Sequence, residues 1–282
     1  MLAWPRRSGV DLERGSMRVS RLNDPMPTIH LTDGSALKFA DKKSATSPYP
    51  ALVLVHGAGG SHLDWPPALR RLPNAHVIAL DLPGHGRAPG LGRQDTLAYA
   101  RDICALLEAL TIERAIIAGH SMGGAITQQI ALNMPDRVAG LILIGTGSKL
   151  PVEPTLPQRI LDEPEPTLDW LIEWSWGERA PQAMKARGRQ RLSETSPQVL
   201  RGDYLACQAF DTRDRLAEIA APTLVLAAEE DRMVKLKFSV TLAERIPHAT
   251  LIVFRDAGHM FPLEKGTEVA DAIAQWLAAR TW

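Results

Sequence analysis

The stretch AGHSMGGAI, residues 118–126, sets a polar Gly-His-Ser-Met-Gly between two apolar runs. Before it stands AIIA (115–118), short and rich in isoleucine, which reads as a buried strand. After it, AITQQIAL (125–132) repeats its apolar residues at helical spacing. A strand that passes straight into a helix needs a tight turn, and Gly119-x-Ser121-x-Gly123 supplies one. A serine at such a turn is held in a strained backbone conformation, and only glycine two residues to either side leaves room for it. The turn lifts the hydroxyl above the sheet edge and aims the next backbone N–H groups into the same space.

Working outward, TIHLTDGSALKF (28–39) reads as a β-hairpin turning at Asp33-Gly34. The runs ALVLVHG (51–57), AHVIALDLPGHG (75–86), VAGLILIG (138–145), APTLVLAAEED (221–231) and ATLIVFRDAGH (249–259) read as further strands. DTLAYARDICALLEAL (95–110) and EVADAIAQWLAA (268–279) read as helices, the first capped by Asp95. Strands alternating with amphipathic helices predict an α/β fold: a mostly parallel central sheet with helices on both faces. In such sheets the chemistry sits at the carboxyl ends of the strands, where each polar motif of this chain falls. Residues 149–215 break the rhythm, carrying PVEPTLP and DEPEPT and no β run, and predict a helical cap inserted between two strands. The expected organisation is a leader over 1–27, a core from 28–148 and 216–282, and the cap between them.

Serine is a weak nucleophile at its free pKa and needs a base, itself oriented by an acid. His259, in DAGHMFPLE after the last strand, is the candidate base. Asp231, in AAEEDRMV after the preceding strand, is the candidate acid, with Glu229 and Glu230 as neighbours that compete for the role. The chain order Ser…Asp…His suits a strand-to-helix nucleophile turn. A developing oxyanion needs preorganised donors, here the N–H of Met122 and the N–H of Ala58 in HGAGG (56–60), with Gly59 as the alternative.

These residues together resemble the α/β-hydrolase fold family, of the serine-nucleophile, esterase-like kind. The likeness rests on His56-Gly57-Ala58-Gly59-Gly60, Asp81-Leu82-Pro83-Gly84-His85-Gly86-Arg87, Gly119-His120-Ser121-Met122-Gly123-Gly124, Asp231 and Gly258-His259, in the family's order and spacing. Two positions depart from it: Ala228 stands where the family usually has glycine before the acid, and Ala88 where serine commonly follows GHGR. The resemblance implies a cofactor-free, metal-free hydrolase, most simply a carboxylesterase working through an acyl-enzyme. It implies structural roles for Asp81, His85 and Arg87, and an ordering role for His56 in the oxyanion loop. Carbon–carbon bond hydrolases, enol-lactonases and thioesterases share the same triad, and so form the alternative. Members that open epoxides or displace halides carry aspartate at the turn, which Ser121 disfavours. Carbon–carbon hydrolases often carry Asn before the serine and Trp after the histidine, where this chain has His120 and Met260.

Two other classes compete. HGAGGSH followed by Asp81 imitates a dinucleotide-binding fingerprint, but His62 occupies the third glycine position and LDWPP follows. A non-catalytic ligand sensor typically loses a triad member, and here all three candidates are present.

Trp170, Trp174 and Trp176, with Leu171, Ile172 and Met184, make an apolar patch in the cap and are candidate walls of a substrate pocket. No arginine stands out as a carboxylate clamp; Arg187, Arg189 and Arg191 are candidates at the cap but read as mostly solvated. The chain's 282 residues, 45% hydrophobic and 23% charged, suit a globular protein with a sizeable core. Lys plus Arg and Asp plus Glu number 32 each, which argues against a nucleic acid or anionic membrane held by bulk charge. The partner that the resemblance implies is a small-molecule apolar ester. Cys104 and Cys207 make neither a disulfide framework nor a metal pattern and read as packing residues. MLAWPRRSGVDLERGS lacks the apolar core of a signal peptide, so the expected location is the cytoplasm, with Met17 as an alternative start.

Overall fold

The computed structural model describes residues 19–20, 26–44 and 46–282. Among the described residues nine strands form one sheet: β1 (Val19–Ser20), β2 (Thr28–His30), β3 (Ala36–Lys42), β4 (Leu52–Val55), β5 (Val77–Asp81), β6 (Ala115–His120), β7 (Val138–Ile144), β8 (Thr223–Ala228) and β9 (Ala249–Phe254). Their order across the sheet is β1-β2-β3-β5-β4-β6-β7-β8-β9. The first three strands and the β3–β5 pair are antiparallel, and every pairing from β5 to β9 is parallel. The hairpin read from 28–39 forms, with Thr28 opposite Lys38 and Gly34 at φ +83° in the connection. Within the expected leader, Val19–Ser20 extends the sheet by pairing with β2; residues 1–18 and 21–25 lie outside the described residues.

Helices α1 (Pro67–Arg70), α2 (Thr96–Ala109), α3 (Met122–Asn133), α4 (Leu156–Asp162), α5 (Pro164–Ser175), α6 (Gln182–Ser193), α7 (Pro197–Ala209), α8 (Leu236–Arg245), α9 (Phe261–Glu264) and α10 (Gly266–Ala278) complete the fold. The Asp95 carboxylate accepts from Leu97 N–H at 3.0 Å, capping α2 as its sequence suggests. Side chains alternate along each strand. Val53, Val55, Ile78 and Ile117 therefore face the core under α2 and α3, while Leu52, Leu54, Val77 and Ile116 face the core under α1 and α10. Both faces of the sheet are covered over its centre, which is why β4 to β8 are almost continuously apolar.

Helices α4–α7 fall between β7 and β8, so the stretch read as a helical insertion is helical. Proline opens α5 and α7 at Pro164 and Pro197, positions where a missing N–H costs nothing. The insertion has a small core of its own, built from Leu156, Ile160, Leu168, Leu171, Leu200 and Tyr204. At its base Lys149 bridges Asp211.

Candidate active site

The turn at residue 121 is sterically constrained. Ser121 sits at φ 54°, ψ −116°, between β6 and α3. A Cβ at Gly119 would lie 2.2 Å from Gly123 O, and one at Gly123 would lie 2.1 Å from Val55 O. Those distances are far inside van der Waals contact with backbone that cannot move, so both flanking glycines are sterically required. The Ser121 N–H donates to Ile144 O at 2.9 Å, tying the turn to the end of β7.

Three strand ends converge on this turn. His259 Nδ1–H donates to Asp231 Oδ2 at 2.8 Å, and Asp231 Oδ1 accepts from Val234 N–H at 2.7 Å. The assignment of Nδ1 as protonated leaves Nε2 as the basic nitrogen. Both side chains are buried, at 5% and 4% exposure for His259 and Asp231. Glu229 and Glu230 turn elsewhere, toward Arg255 and the Glu178 N–H. Ser121 and His259 line the same cavity, although no hydrogen bond joins them among the described residues. Such bonds are commonly loose without substrate.

His120 packs its ring 4.7 Å from that of His259 and donates from Nε2–H to the His259 carbonyl at 2.9 Å. Burial, and then the neighbouring His259, push the His120 imidazole down to about 3, so it is neutral.

The loop after β4 lies against the serine: a Cβ at Gly57 would sit 3.2 Å from Ser121 Cβ. His56 Nδ1–H donates to Gly57 O at 2.8 Å and its Nε2 accepts from Leu82 N–H at 3.1 Å. Burial, and then the His85 charge, push His56 down to about 4. His56 thus holds the carbonyl of the peptide unit whose N–H belongs to Ala58. Neither the Ala58 nor the Met122 N–H has a hydrogen-bond partner among the described residues. The Gly59 N–H does, at 2.8 Å to Asp203 Oδ2, and is not free for a ligand. Ala58 lines the cavity; Met122 is buried next to the serine and does not.

The cavity measures about 290 Å³ and is mostly apolar. Trp170, Trp174 and Trp176 all line it, together with Leu171 and Ile172. Trp170 and Trp174 lie 5.2 Å apart, with Arg159 over one ring and Arg232 over the other. Met184, read as part of the same patch, points outward instead, at 38% exposure. Arg191 lines the cavity and donates to Leu63 O at 2.9 Å, whereas Arg189 is spent on Glu165 and Asp169.

Asp81 is fully buried and tied down by the His62 N–H and Nδ1–H and the Arg87 N–H, at 2.7, 2.8 and 3.0 Å. Burial opposes its charge, but the His62 contacts outweigh it and hold the carboxyl below its usual value. Buried, with both oxygens held by these neighbours, it presents no acid to a ribose, as a dinucleotide fold would require. What sequence reading missed is Asp203. Its one signal is position: on α7 it falls at helical spacing between Val199 and Cys207, a carboxylate within a buried stripe.

A sequence model of the alpha/beta hydrolase family matches residues 52–272. RutD of Variovorax paradoxus (strain S110), provisionally named a carbamate hydrolase, is 32% identical over 246 residues, covering 81% of this chain and 91% of its own. A 2-hydroxy-6-oxo-6-phenylhexa-2,4-dienoate hydrolase from Comamonas testosteroni is 30% identical over 271 residues, covering 84% and 95%. Among solved structures, a thermophilic esterase from Thermogutta terrifontis superposes with a TM-score of 0.82 at 27% identity, covering 91% of this chain and 99% of its own.

Proposed function

Since the chain belongs to the α/β hydrolase family, we propose that this hydrolase cleaves small to medium apolar esters through a serine acyl-enzyme. One observation carries the reading: a strained serine at a β-strand end and a histidine–carboxylate pair, contributed by two other strand ends, line or border one apolar cavity. Ser121 Oγ attacks the acyl carbon, and its proton passes to His259 Nε2. Asp231 keeps Nδ1–H in place and stabilises the imidazolium. The carbonyl π electrons move onto oxygen, which the Ala58 and Met122 N–H groups receive. Collapse breaks the C–O bond, and His259 gives its proton to the leaving alkoxide. Water, deprotonated by His259, then attacks the acyl-enzyme, releasing the acid and Ser121. The tryptophan-lined side of the cavity takes the apolar part of the substrate.

The esterase from Thermogutta terrifontis supports ester chemistry. The dienoate hydrolase from Comamonas testosteroni supports a second reading, cleavage of a carbon–carbon bond next to a ketone by the same residues. Among the described residues no helix is long and apolar enough to cross a membrane. The test is hydrolysis of p-nitrophenyl esters of increasing acyl length, with Ser121→Ala beside the wild type. The reading expects an optimum at short to medium chains and loss of activity in the variant. An inert wild type would transfer the assignment to carbon–carbon cleavage of dienoic ketoacids.

A further inference from the structure

The loop bearing Ala58 is held from the cap side by two polar contacts. A peptide unit is planar, so a contact at either end orients the whole unit. The Gly57–Ala58 unit is gripped at its carbonyl by His56 Nδ1–H at 2.8 Å and by Gly60 N–H at 3.1 Å. The Ala58–Gly59 unit is gripped at its N–H by Asp203 Oδ2 at 2.8 Å, and the Gly59–Gly60 unit at its carbonyl by Thr195 Oγ–H at 2.9 Å. Asp203 lies on α7 and Thr195 between α6 and α7, so both of the latter holds come from the helical insertion. The same region closes over Gly59 from the side, with Leu192 Cδ1 and Leu200 Cδ1 at 2.5 and 2.6 Å from where a Cβ would stand.

Asp203 is itself fixed from every direction. It is fully buried, its Oδ2 also accepts from His85 Nε2–H at 2.7 Å, and its Oδ1 accepts from Tyr99 O–H at 2.7 Å. His85 donates from Nδ1–H as well, to Pro83 O at 3.0 Å. Both ring nitrogens therefore donate, and His85 is an imidazolium that balances the buried carboxylate. Burial works against that charge, but the Asp203 carboxylate and its hydrogen bond outweigh it and raise the His85 pKa. A plain cap-to-core anchor would not need to seize an amide of the loop beside the serine. This one seizes the unit immediately after Ala58, so that with the Gly57 carbonyl held on the other side, both peptide units flanking Ala58 are restrained.

We infer that Asp203 and Thr195 are positioning residues of the oxyanion hole, holding Gly59 so that the Ala58 N–H stays aimed at the substrate oxygen. The inference rests on the serine-hydrolase reading and assigns the helical insertion a part in transition-state stabilisation, beyond covering the substrate. Removing one oxyanion donor in a serine hydrolase costs about 10²–10³ in kcat, which bounds the effect of misaiming one.

The test uses Asp203→Asn and Thr195→Val in the full chain, with Ser121→Ala as control. The neutral Asn amide offers one oxygen where the carboxylate offers two, so it cannot accept from the Gly59, His85 and Tyr99 donors together, while Val keeps the shape of Thr195 without its hydroxyl. On a p-nitrophenyl ester, Asp203→Asn is expected to lower kcat about 100-fold and Thr195→Val about tenfold, each with KM within about threefold. The second readout is affinity for an alkyl trifluoromethyl ketone, whose carbonyl carbon bonds to Ser121 Oγ while its oxygen becomes an oxyanion and His259 takes the proton. That affinity is expected to weaken by the same factors as kcat. A merely structural anchor would lower the melting temperature and leave the ketone affinity of the folded fraction unchanged, and that result overturns the inference. So does an unchanged kcat in Thr195→Val, which decides the matter if Asp203→Asn fails to fold. Undiminished activity in Ser121→Ala would instead overturn the serine-hydrolase reading itself.

Discussion

Two loops meet at the cavity, and they are held in opposite ways. The turn at Ser121 is fixed by backbone packed on backbone: Gly119 against Gly123, and Gly123 against Val55 O. Every element involved belongs to the sheet and the helix that follows it. The loop at Gly57–Gly60 is fixed by polar contacts, with His56 on the core side and Asp203 and Thr195 on the side of the insertion. A steric hold tolerates no added atom and is indifferent to pH and charge. A polar hold tolerates small shifts in shape but fails when a donor or acceptor is removed, because the orphaned partner stays buried. The turn bearing Ser121 is thus held rigidly by the core, while the Gly57–Gly60 loop answers to the insertion as well.

The largest expected effect lies at the steric loop. Ser121→Ala removes the nucleophile without adding bulk, and steady-state kinetics should show kcat down by at least about 10⁴-fold with an unchanged melting temperature. Gly123→Ala should break the turn itself. Its Cβ has only backbone to displace, so thermal unfolding should show a loss of about 3 kcal/mol, and activity should fall with it. Gly59→Ala sharpens the contrast. Its φ of +65° and the Leu192 and Leu200 methyls oppose the substitution, but these are side-chain ends that can swing, so the expected loss is about 1–2 kcal/mol. If Gly59→Ala cost more stability than Gly123→Ala, the distinction between the two loops would be wrong.

The histidines give a pH-dependent comparison. His56 and His120 have folded values of about 4 and about 3, both below the 6.5 of the unfolded chain. As pH falls below 6.5, the unfolded chain binds protons that the folded one refuses, so their contribution is complete above pH 6.5 and is lost toward pH 4 and 3. His85 has the opposite sign: raised in the fold, it stabilises below its unfolded value and loses that contribution as pH rises through its folded value. Chemical denaturation between pH 6.5 and 4 should therefore show a shallower slope in His120→Gln than in the wild type, by up to about 1.4 kcal/mol per pH unit. The smallest effect concerns the insertion wall. Trp170→Ala enlarges the cavity and should shift the acyl-length optimum upward, with kcat/KM for longer esters gaining about five- to tenfold relative to acetate.

The same contrast explains how much of the molecule was readable from sequence. Ser121, Asp231 and His259 each follow an apolar strand, and a parallel sheet brings consecutive strand ends to one edge, so local pattern was enough to bring these three candidates together. The alternation of strands and helices likewise carried the core architecture, and the loss of β runs over 149–215 carried the insertion. Asp203 was not readable, because its meaning depends on Gly59, 144 residues earlier, and helical periodicity reports only that it faces inward. The choice between Ala58 and Gly59 was open for the same reason, since the contact that occupies the Gly59 amide comes from that distant helix. The outward turn of Met184 was hidden because the path of the chain between α5 and α6 decides which face of α6 meets the cavity.

The central claim is that Ser121 is the group that takes the acyl chain. The most direct measurement is intact-mass and peptide mass spectrometry after brief treatment with an alkyl fluorophosphonate, which bonds covalently to an activated serine and expels fluoride. The account predicts one adduct per chain, mapped to Ser121, formed quickly in the wild type and far more slowly in His259→Ala. An unmodified protein, or an adduct confined to another residue, would contradict it.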